Sequence, residues 1–466
     1  MTLTSTPAPR SRSAGLDRLR AGLALSRSHT APGQDPRTRD VAGWLESRSR
    51  AHHFDVRRIG FDRLRGWAFD PDTGDLRHES GRFFSVGGLA VCVDEGERQW
   101  RQPIIHQPDV GILGILVKRF QGVPHLLMQA KMEPGNPNVV QLSPTVQATR
   151  SNYSRVHRGS GVRYVEYFTD PARGRVLADV LQSEHGSWFY RKANRNMVVE
   201  TDEDVAGHPD FLWLTLGQLG RLLREDLVVN MDARSVLACL PVAHPDEDTT
   251  AWYDDTELLS WFTGERARRR LTAERIGLAQ VPEWIREPAS IRHRTRRYFE
   301  VVAVEVEAGS REVRGWTQPL FAPRGLGVTA FLTRRIAGVP HLLVHARVEG
   351  GFLDTVELGP TVQYTPVNHP DHHGARRPPF LDLVRAAPRA AVRYEAFHSE
   401  EGGRFLGAVS RYAFLDADLA GAPWEPPPGY QWVTPGQLGG LARHGHYVNV
   451  QARTLLSCLT TGAVRL

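Results

Sequence analysis

The chain contains itself twice. Residues 100–152 align without a gap onto residues 316–368, at a constant offset of 216. The best stretch, GVPHLLMQAKMEPGNPNVVQLSPTVQ (Gly122–Gln147), meets GVPHLLVHARVEGGFLDTVELGPTVQ (Gly338–Gln363) with 15 of 26 positions identical. Upstream, Arg58–Gly60 with Trp67 answers Arg275–Gly277 with Trp284. Downstream, WLTLGQLG (Trp213–Gly220) answers WVTPGQLG (Trp432–Gly439), and VNMDARSVLACL (Val229–Leu240) answers VNVQARTLLSCL (Val448–Leu459). The period is too long for a solenoid array, and each copy is large enough to bury its own core. The expected organisation is a disordered basic tail over 1–38, a first repeat over 39–243, a linker over 244–256 and a second repeat over 257–466. Residues kept in both copies serve the fold first; polar groups present in one copy alone are candidates for chemistry.

Charge narrows the partners. Residues 1–58 hold eleven Arg and five acids, a surplus equal to the formal net charge of +6, so residues 59–466 are neutral. A phosphate-backbone binder needs its basic excess on a folded face, and nucleic acid is not the expected partner. No apolar run approaches the roughly 18 residues of a membrane span. Three cysteines cannot all pair within the chain, and Cys239 and Cys458 sit in equivalent apolar L-x-C-L runs, the setting of buried thiols. A reducing cytoplasm is the expected home. The three lysines, Lys118, Lys131 and Lys192, all lie in the first copy, as do six of the eight asparagines.

Alternation of apolar residues predicts a β-hairpin turning at Gln121-Gly122, repeated at Ala337-Gly338, and strands over 175–182 and 391–398. Thr215 with Gln218, and Thr434 with Gln437, have the spacing of a capping box, and Pro435 suits a first helical position. Asp232 is expected to cap the last helix of the first copy. The clearest helix is predicted over 257–270. Each copy reads as a mostly β, mixed α+β unit.

At this point the residues carry a likeness. GWAFDPDTGDLRHESGRFFSV, GILGILVKRF, LMQAKMEPGNPNVVQLSPTVQATRSNY and LQSEHGSWFYRKANRNMVVE resemble the NDP-hexose 2,3-dehydratase family of deoxysugar pathways, from Trp44 to the C-terminus. The resemblance implies an α+β fold of two tandem Nudix-like domains in a homodimer. Its implied substrate is a nucleotide-linked 4-keto-6-deoxyhexose, usually dTDP-linked. That sugar loses its C2 hydroxyl and C3 proton, and the enol tautomerises to a 3,4-diketo-2,6-dideoxy sugar for a separate 3-ketoreductase. No cofactor and no metal are implied. Neither copy contains the glutamate-rich helical box of a Nudix pyrophosphatase, so the likeness is one of scaffold and not of hydrolytic chemistry. A Nudix-type nucleotide-sugar hydrolase and a non-catalytic nucleotide-sugar-binding module are the two other readings.

Such a dehydration needs a base at C3, a donor on the C4 oxygen as it becomes an enolate, and an acid for the departing hydroxyl. The first copy alone has Gln129, Lys131, Asn136, Gln141, Ser143 and Arg150, while Glu133, Gln147 and Asn152 persist in both copies. This density of amide, hydroxyl and cationic groups suits a sugar diphosphate. A second cluster holds Ser183, Trp188, Lys192, Asn194, Arg195 and Asn196, with Trp188 suited to stack on a base and Lys192 and Arg195 to face phosphate. Tyr153, Lys131 and Glu133 form the expected catalytic pool, with no roles fixed among them. His157 and His185 are read as surface residues.

Overall fold

The computed structural model describes residues 12–33, 35–94, 98–149, 161–242, 251–309, 314–369 and 378–466. In the first repeat the strands are β1 (Phe54–Ile59), β2 (Trp67–Phe69), β3 (Leu76–His78), β4 (Ser85–Val93), β5 (Arg98–His106), β6 (Ile112–Phe120), β7 (Val123–Met132), β8 (Val140–Ser143), β9 (Val146–Ala148), β10 (Arg175–Ser183), β11 (Ala193–Glu200) and β12 (Phe211–Leu214). The second repeat follows the same order with β13 (Leu271–Ile276), β14 (Trp284–Arg286), β15 (Ser290–His293), β16 (Phe299–Ala308), β17 (Gly315–Pro323), β18 (Gly327–Ile336), β19 (Val339–Arg347), β20 (Glu357–Gly359), β21 (Val362–Tyr364), β22 (Val392–Ser399), β23 (Val409–Asp416) and β24 (Tyr430–Val433). The helices are α1 (Arg12–Ser28), α2 (Val41–Ala51), α3 (Glu166–Thr169), α4 (Leu216–Leu222), α5 (Met231–Leu237), α6 (Asp255–Arg268), α7 (Leu381–Ala386), α8 (Pro435–Leu441) and α9 (Val450–Thr461).

Both predicted hairpins form. Gln121 and Gly122 have φ of 52° and 81°, Ala337 and Gly338 of 50° and 83°, the left-handed pair that a two-residue turn demands to match strand twist. Both capping boxes are present. The expected cap at Asp232 is corrected: Asn230 caps α5 by accepting from the Ala233 N–H, and Asp232 lies buried in the first turn.

Each repeat builds one seven-stranded mixed sheet, ordered β10-β11-β6-β7-β12 with β8 on β7 and β9 on β6, and its twin β22-β23-β18-β19-β24 with β20 and β21. The parallel pairs are β11 with β6 and β23 with β18. The two smaller sheets are built across the duplication. β1 of the first repeat pairs antiparallel with β16, from Phe54 opposite Ala308 to Ile59 opposite Ala303. β13 of the second repeat pairs with β4 in the same manner, Leu271 opposite Val93 to Ile276 opposite Gly88. The repeats have therefore exchanged their first strands, and the shared Arg-Ile-Gly motifs mark where these strands end.

One core cluster runs through both copies, from Leu113, Ile115 and Leu126 to Phe331, Leu342 and Tyr412. Each repeat also keeps a cluster of its own, around Tyr167 and Phe211 in the first and around Leu415 and Trp432 in the second, so the expected cores are joined by a shared one. At its centre α5 packs against α9. Buried Arg234 on α5 donates to the Ser399 carbonyl, and buried Arg453 on α9 to that of Ser183, each reaching into the other repeat.

The segment expected as a disordered tail is corrected as well, for the part described. Helix α1 buries Leu19, Leu23 and Ser26, and the Ser26 hydroxyl donates to the Pro124 carbonyl at 2.6 Å. Arg18 and Arg20, on either side of Leu19, point outward, so a basic composition hides a short apolar stripe. Among the described residues no helix is long and apolar enough to cross a membrane.

Candidate active site

The site forms where β7 runs out of apolar residues at Lys131-Met132-Glu133 and the chain turns into the other repeat. The Gly135 N–H donates to the Gly402 carbonyl at 2.7 Å, and the Gly407 N–H returns to the Gly135 carbonyl at 2.8 Å. The second repeat mirrors this: the Gly351 N–H donates to the Gly186 carbonyl and the Arg191 N–H to that of Gly351, both at 2.7 Å. A Cβ on Gly135 would stand 1.7 Å from the Phe405 carbonyl oxygen, and one on Gly351 1.8 Å from that of Phe189. The retained glycines are thus explained by backbone passing against backbone across the duplication.

Two twin seams result. In the first, Glu133 is 4% exposed, accepts from the Gln147 amide at 2.7 Å and lies 3.7 Å from the Lys131 ammonium. Gln147 in turn accepts from Ser143 at 3.1 Å. The facing wall comes from the second repeat and contains Glu401, Gly402 and Arg404, with Asp232 of α5 and Glu184 close behind. The Arg404 guanidinium donates to Gln107 at 3.0 Å and covers Phe84. Burial pushes the Glu401 carboxyl up to about 7, and the neighbouring charges of Glu133 and Glu184 add to it while Arg404 opposes. Asp232 is raised well above the carboxylate range by burial, then by Glu184, Glu133 and Glu401. A carboxylic acid held neutral near pH 7 can donate a proton to a leaving group.

The second seam has Arg347, Glu349 and Gln363 in the equivalent places, with Arg347 to Glu349 at 2.7 Å. Here His185 stands where the first seam has Glu401, and Gln451 where it has Asp232. His185 meets Glu400 at 3.1 Å and Gln451 at 2.6 Å. Burial opposes its protonation, but its hydrogen bond to Glu400 and the charges of Glu400, Glu184 and Glu349 prevail and raise its pKa. His185, expected at the surface, is buried in a charge-balanced network. Phe352 fills the position of Asn136 and is itself buried.

The sequence-predicted residues divide between these seams. Lys131, Glu133, Gln147 and Ser143 converge in the first, with Gln129 half-buried opposite Ser143 on the neighbouring strand. Asn136 is buried against Gly402, its amide donating to the Val139 carbonyl and its oxygen unpartnered. Gln141 is fully buried and bridges Ser399 and Asn138. Ser183 donates to Glu357 at the second seam, and Asn196 is held by Ser235, so both brace the interior. Lys192 is buried, donates to the Asp109 carbonyl and to Asn194, and is lowered to about 8 by burial, which Arg404 reinforces. Asn194 donates to Glu184 at 2.7 Å and so ties the second predicted cluster to the first seam.

Two expectations are corrected. Trp188 stacks on His185 and packs edge-on to Phe405 within an aromatic core cluster, so it serves packing rather than offering a free face to a base. Arg195 is engaged by Asp179 at 2.8 and 2.6 Å, on the opposite face of β11 from Asn194 and Asn196, so it does not face the seam. Arg150, Asn152, Tyr153 and His157 lie outside the described residues. A cavity of about 610 Å³ opens beside α1, lined by Arg18, Arg119, Arg175 and Glu200. It sits at the far end of β6 from the seam, and Glu200 already pairs with both Arg119 and Arg175.

A family model described as NDP-hexose 2,3-dehydratase matches residues 38–240 and 255–459. The chain belongs to the NDP-hexose 2,3-dehydratase family. It is 56% identical over 449 residues to the dTDP-4-dehydro-6-deoxy-alpha-D-glucopyranose 2,3-dehydratase of Amycolatopsis orientalis, covering 95% of this chain and 94% of that protein. Proteins of the same name from Saccharopolyspora spinosa and Streptomyces violaceoruber are 49% and 50% identical, over 89% and 91% of this chain and 90% and 98% of their own. A member of this family is a lyase that removes water.

In this dehydratase-family chain, sequence reasoning missed Asp232 as a site residue, together with Glu184, Glu401 and Arg404. The signal was available. The rule that chemistry lies in groups present in one copy was applied to the first copy only. Applied to both, it finds Glu401 opposite His185, Asp232 opposite Gln451 and Arg404 opposite Trp188. The second repeat thus supplies one wall of the first seam.

Proposed function

We propose that this chain removes the C2 hydroxyl and C3 proton of dTDP-4-keto-6-deoxy-D-glucose, yielding the 3,4-diketo-2,6-dideoxy sugar. The observation that carries the reading is the first seam, where Glu133 sits 3.7 Å from Lys131 and within a hydrogen bond of Gln147. The C4 ketone acidifies the C3–H, and Glu133 takes that proton. The Lys131 ammonium holds the C4 oxygen as its charge develops, a contribution of about 3 kcal/mol for one preorganised donor. Tyr153, from the stretch that follows β9, is a second candidate for proton transfer. Gln129, Asn136, Gln147, Arg150, Asn152 and Lys192 are assigned to the sugar and its diphosphate.

The same reading carries its setting. Each large mixed sheet with its packed helices suits a Nudix-like scaffold used without Nudix hydrolysis. The diketo product is reactive and calls for a separate 3-ketoreductase; the assignment includes a cytoplasmic homodimer acting in deoxysugar biosynthesis. Incubation with dTDP-4-keto-6-deoxyglucose without added metal, followed by mass spectrometry, tests it. Loss of one water is expected. An unchanged mass would reject the dehydratase, and release of dTMP with sugar phosphate would indicate a hydrolase.

A further inference from the structure

We propose that Asp232 of the first repeat and Glu401 of the second share one proton across the first seam, and that this acid protonates the departing C2 hydroxyl. The inference rests on the dehydratase reading and assigns it a residue pair that neither repeat holds alone. Its basis is the comparison of the two seams. In the second, an imidazole and an amide meet a carboxylate: His185 lies 3.1 Å from Glu400 and 2.6 Å from Gln451. In the first, carboxyls stand at both of those positions, Asp232 at 3% exposure and Glu401 half-buried, so an imidazole and an amide are replaced by two acids.

Among the described residues both seams keep buried polar atoms without a hydrogen-bond partner, Glu349 Oε2 in the second and three atoms in the first. Glu184 is 4% exposed, its Oε1 accepts from Asn194, and its Oε2 has no partner. Asn136, 6% exposed against Gly402, has an unpartnered Oδ1, and so does the Oε2 of Glu401. Asn136 and Glu133 both lie against Gly402, the residue after Glu401: a Cβ there would stand 2.2 Å from Asn136 Oδ1 and 3.0 Å from the Glu133 Cβ. Buried like charges cannot all ionise, so a proton stays in the group at neutral pH. The groups that act on Glu401 are Glu133 and Glu184 from the first repeat and Arg404 from the second. Those that act on Asp232 are Glu184, Glu133, Glu401 and Lys131.

The step balances without a co-reactant. The base takes the C3 proton, and the C3–H electron pair forms the enolate toward C4. Collapse of the enolate makes the C2–C3 double bond and breaks the C2–O bond, whose oxygen takes the proton from the Asp232–Glu401 pair and leaves as water. Tautomerisation moves the enol proton to C2, and the base returns its proton to the pair.

Two measurements on the full chain decide the matter. In D2O, exchange of the C3 hydrogen reports the base and loss of water reports the acid. Glu401→Gln and Asp232→Asn are expected to keep C3 exchange within a few-fold of wild type while losing dehydration about 10²-fold or more. Dehydration at the wild-type rate in both variants would overturn the role, as would loss of exchange together with dehydration in protein that still binds the substrate. The double variant Glu401→His with Asp232→Gln copies the second seam, which keeps the packing and guards against a folding failure. It is expected to fold, exchange and not dehydrate; a double variant that dehydrates at the wild-type rate would also overturn the role. Independently, infrared spectra near pH 7 are expected to show a protonated carboxyl band that Glu401→Gln removes. Its absence in wild type would refute the shared proton. A wild-type chain that leaves the substrate intact would sink the dehydratase reading and the acid's role with it, whereas the infrared band judges the shared proton apart from that reading.

Discussion

Lys131 and Glu133 occupy places that the second repeat fills with Arg347 and Glu349, so their value lies in geometry rather than in kind. The Arg347–Glu349 contact is closed at 2.7 Å, while Lys131 stands back at 3.7 Å. A compact ammonium with rotatable donors can turn toward a developing enolate, whereas a guanidinium committed to its carboxylate is less able to. Lys131→Met is expected to lower kcat by about 10²-fold or more, and Glu133→Gln by about 10²–10⁴-fold. Activity within twofold of wild type in either would remove that residue from the mechanism. The raised carboxyl of Glu401 also makes a statement about folding. Its folded value near 7 exceeds the ordinary 4.5, so the folded state binds the proton more tightly than the unfolded chain does. The stability this provides is complete below pH 4.5 and is lost as pH rises through about 7. His185, also raised, acts in the same direction. Burial lowers His78, His106, His345 and His398, among others, and these act the other way, so the contribution is read as a difference: the denaturant midpoint of wild type minus that of Glu401→Gln is expected to fall from pH 5 to pH 8, and a constant difference would contradict this.

Helix α1 and the exchanged strands show how elements acquire their place from partners distant in sequence. Along α1, Leu19, Gly22, Leu23 and Ser26 are buried, while Arg18 and Arg20 face water. The Ser26 hydroxyl both donates to Pro124 and accepts from the Leu216 N–H, so the helix closes over the β6–β7 hairpin and the start of α4. Burial of two leucines and one bridging hydroxyl corresponds to about 3–6 kcal/mol. Deleting residues 1–28 is expected to lower Tm by several degrees, and calorimetry giving an unchanged Tm would show the helix to be undocked in solution. β1 and β13 are half-exposed, charged strands. Their pairing partners are the apolar central strands β16 and β4, which would otherwise present a bare edge.

The exchange of β1 and β13, the crossed Arg234 and Arg453 contacts and the core cluster that spans both copies make the two repeats one folding unit. Neither half has a complete small sheet without the other. Expressed separately, 1–242 and 251–466 are expected to be insoluble or unfolded, and expressed together to assemble into a complex that elutes as one species. Two halves that each unfold cooperatively when alone, as circular dichroism would show, would refute this. The same entanglement explains why the candidate site lies at the seam: duplication placed each β7-type loop against the β10–β11-type turn of the other copy, making two equivalent seams that could diverge.

Much of this was legible in the chain of letters. Hairpins, capping boxes and buried cysteines follow from local periodicity and turn chemistry, which depend on neighbours a few residues away. The duplication, the family and the Lys131–Glu133–Gln147 group were readable too, because direct comparison of the copies exposes both what is kept and what is changed. Strand exchange was not readable, since β1 and β13 fit either small sheet equally well and pairing depends on which edge the chain reaches. Nor was the approach of Asp232 to the charges of Glu133, Glu184 and Glu401, nor the fate of Trp188 and Arg195. Whether a polar side chain faces a cleft, a core or a counter-charge is fixed by elements more than a hundred residues away, and the electrostatics that raise a buried carboxyl exist only once those elements have closed around it.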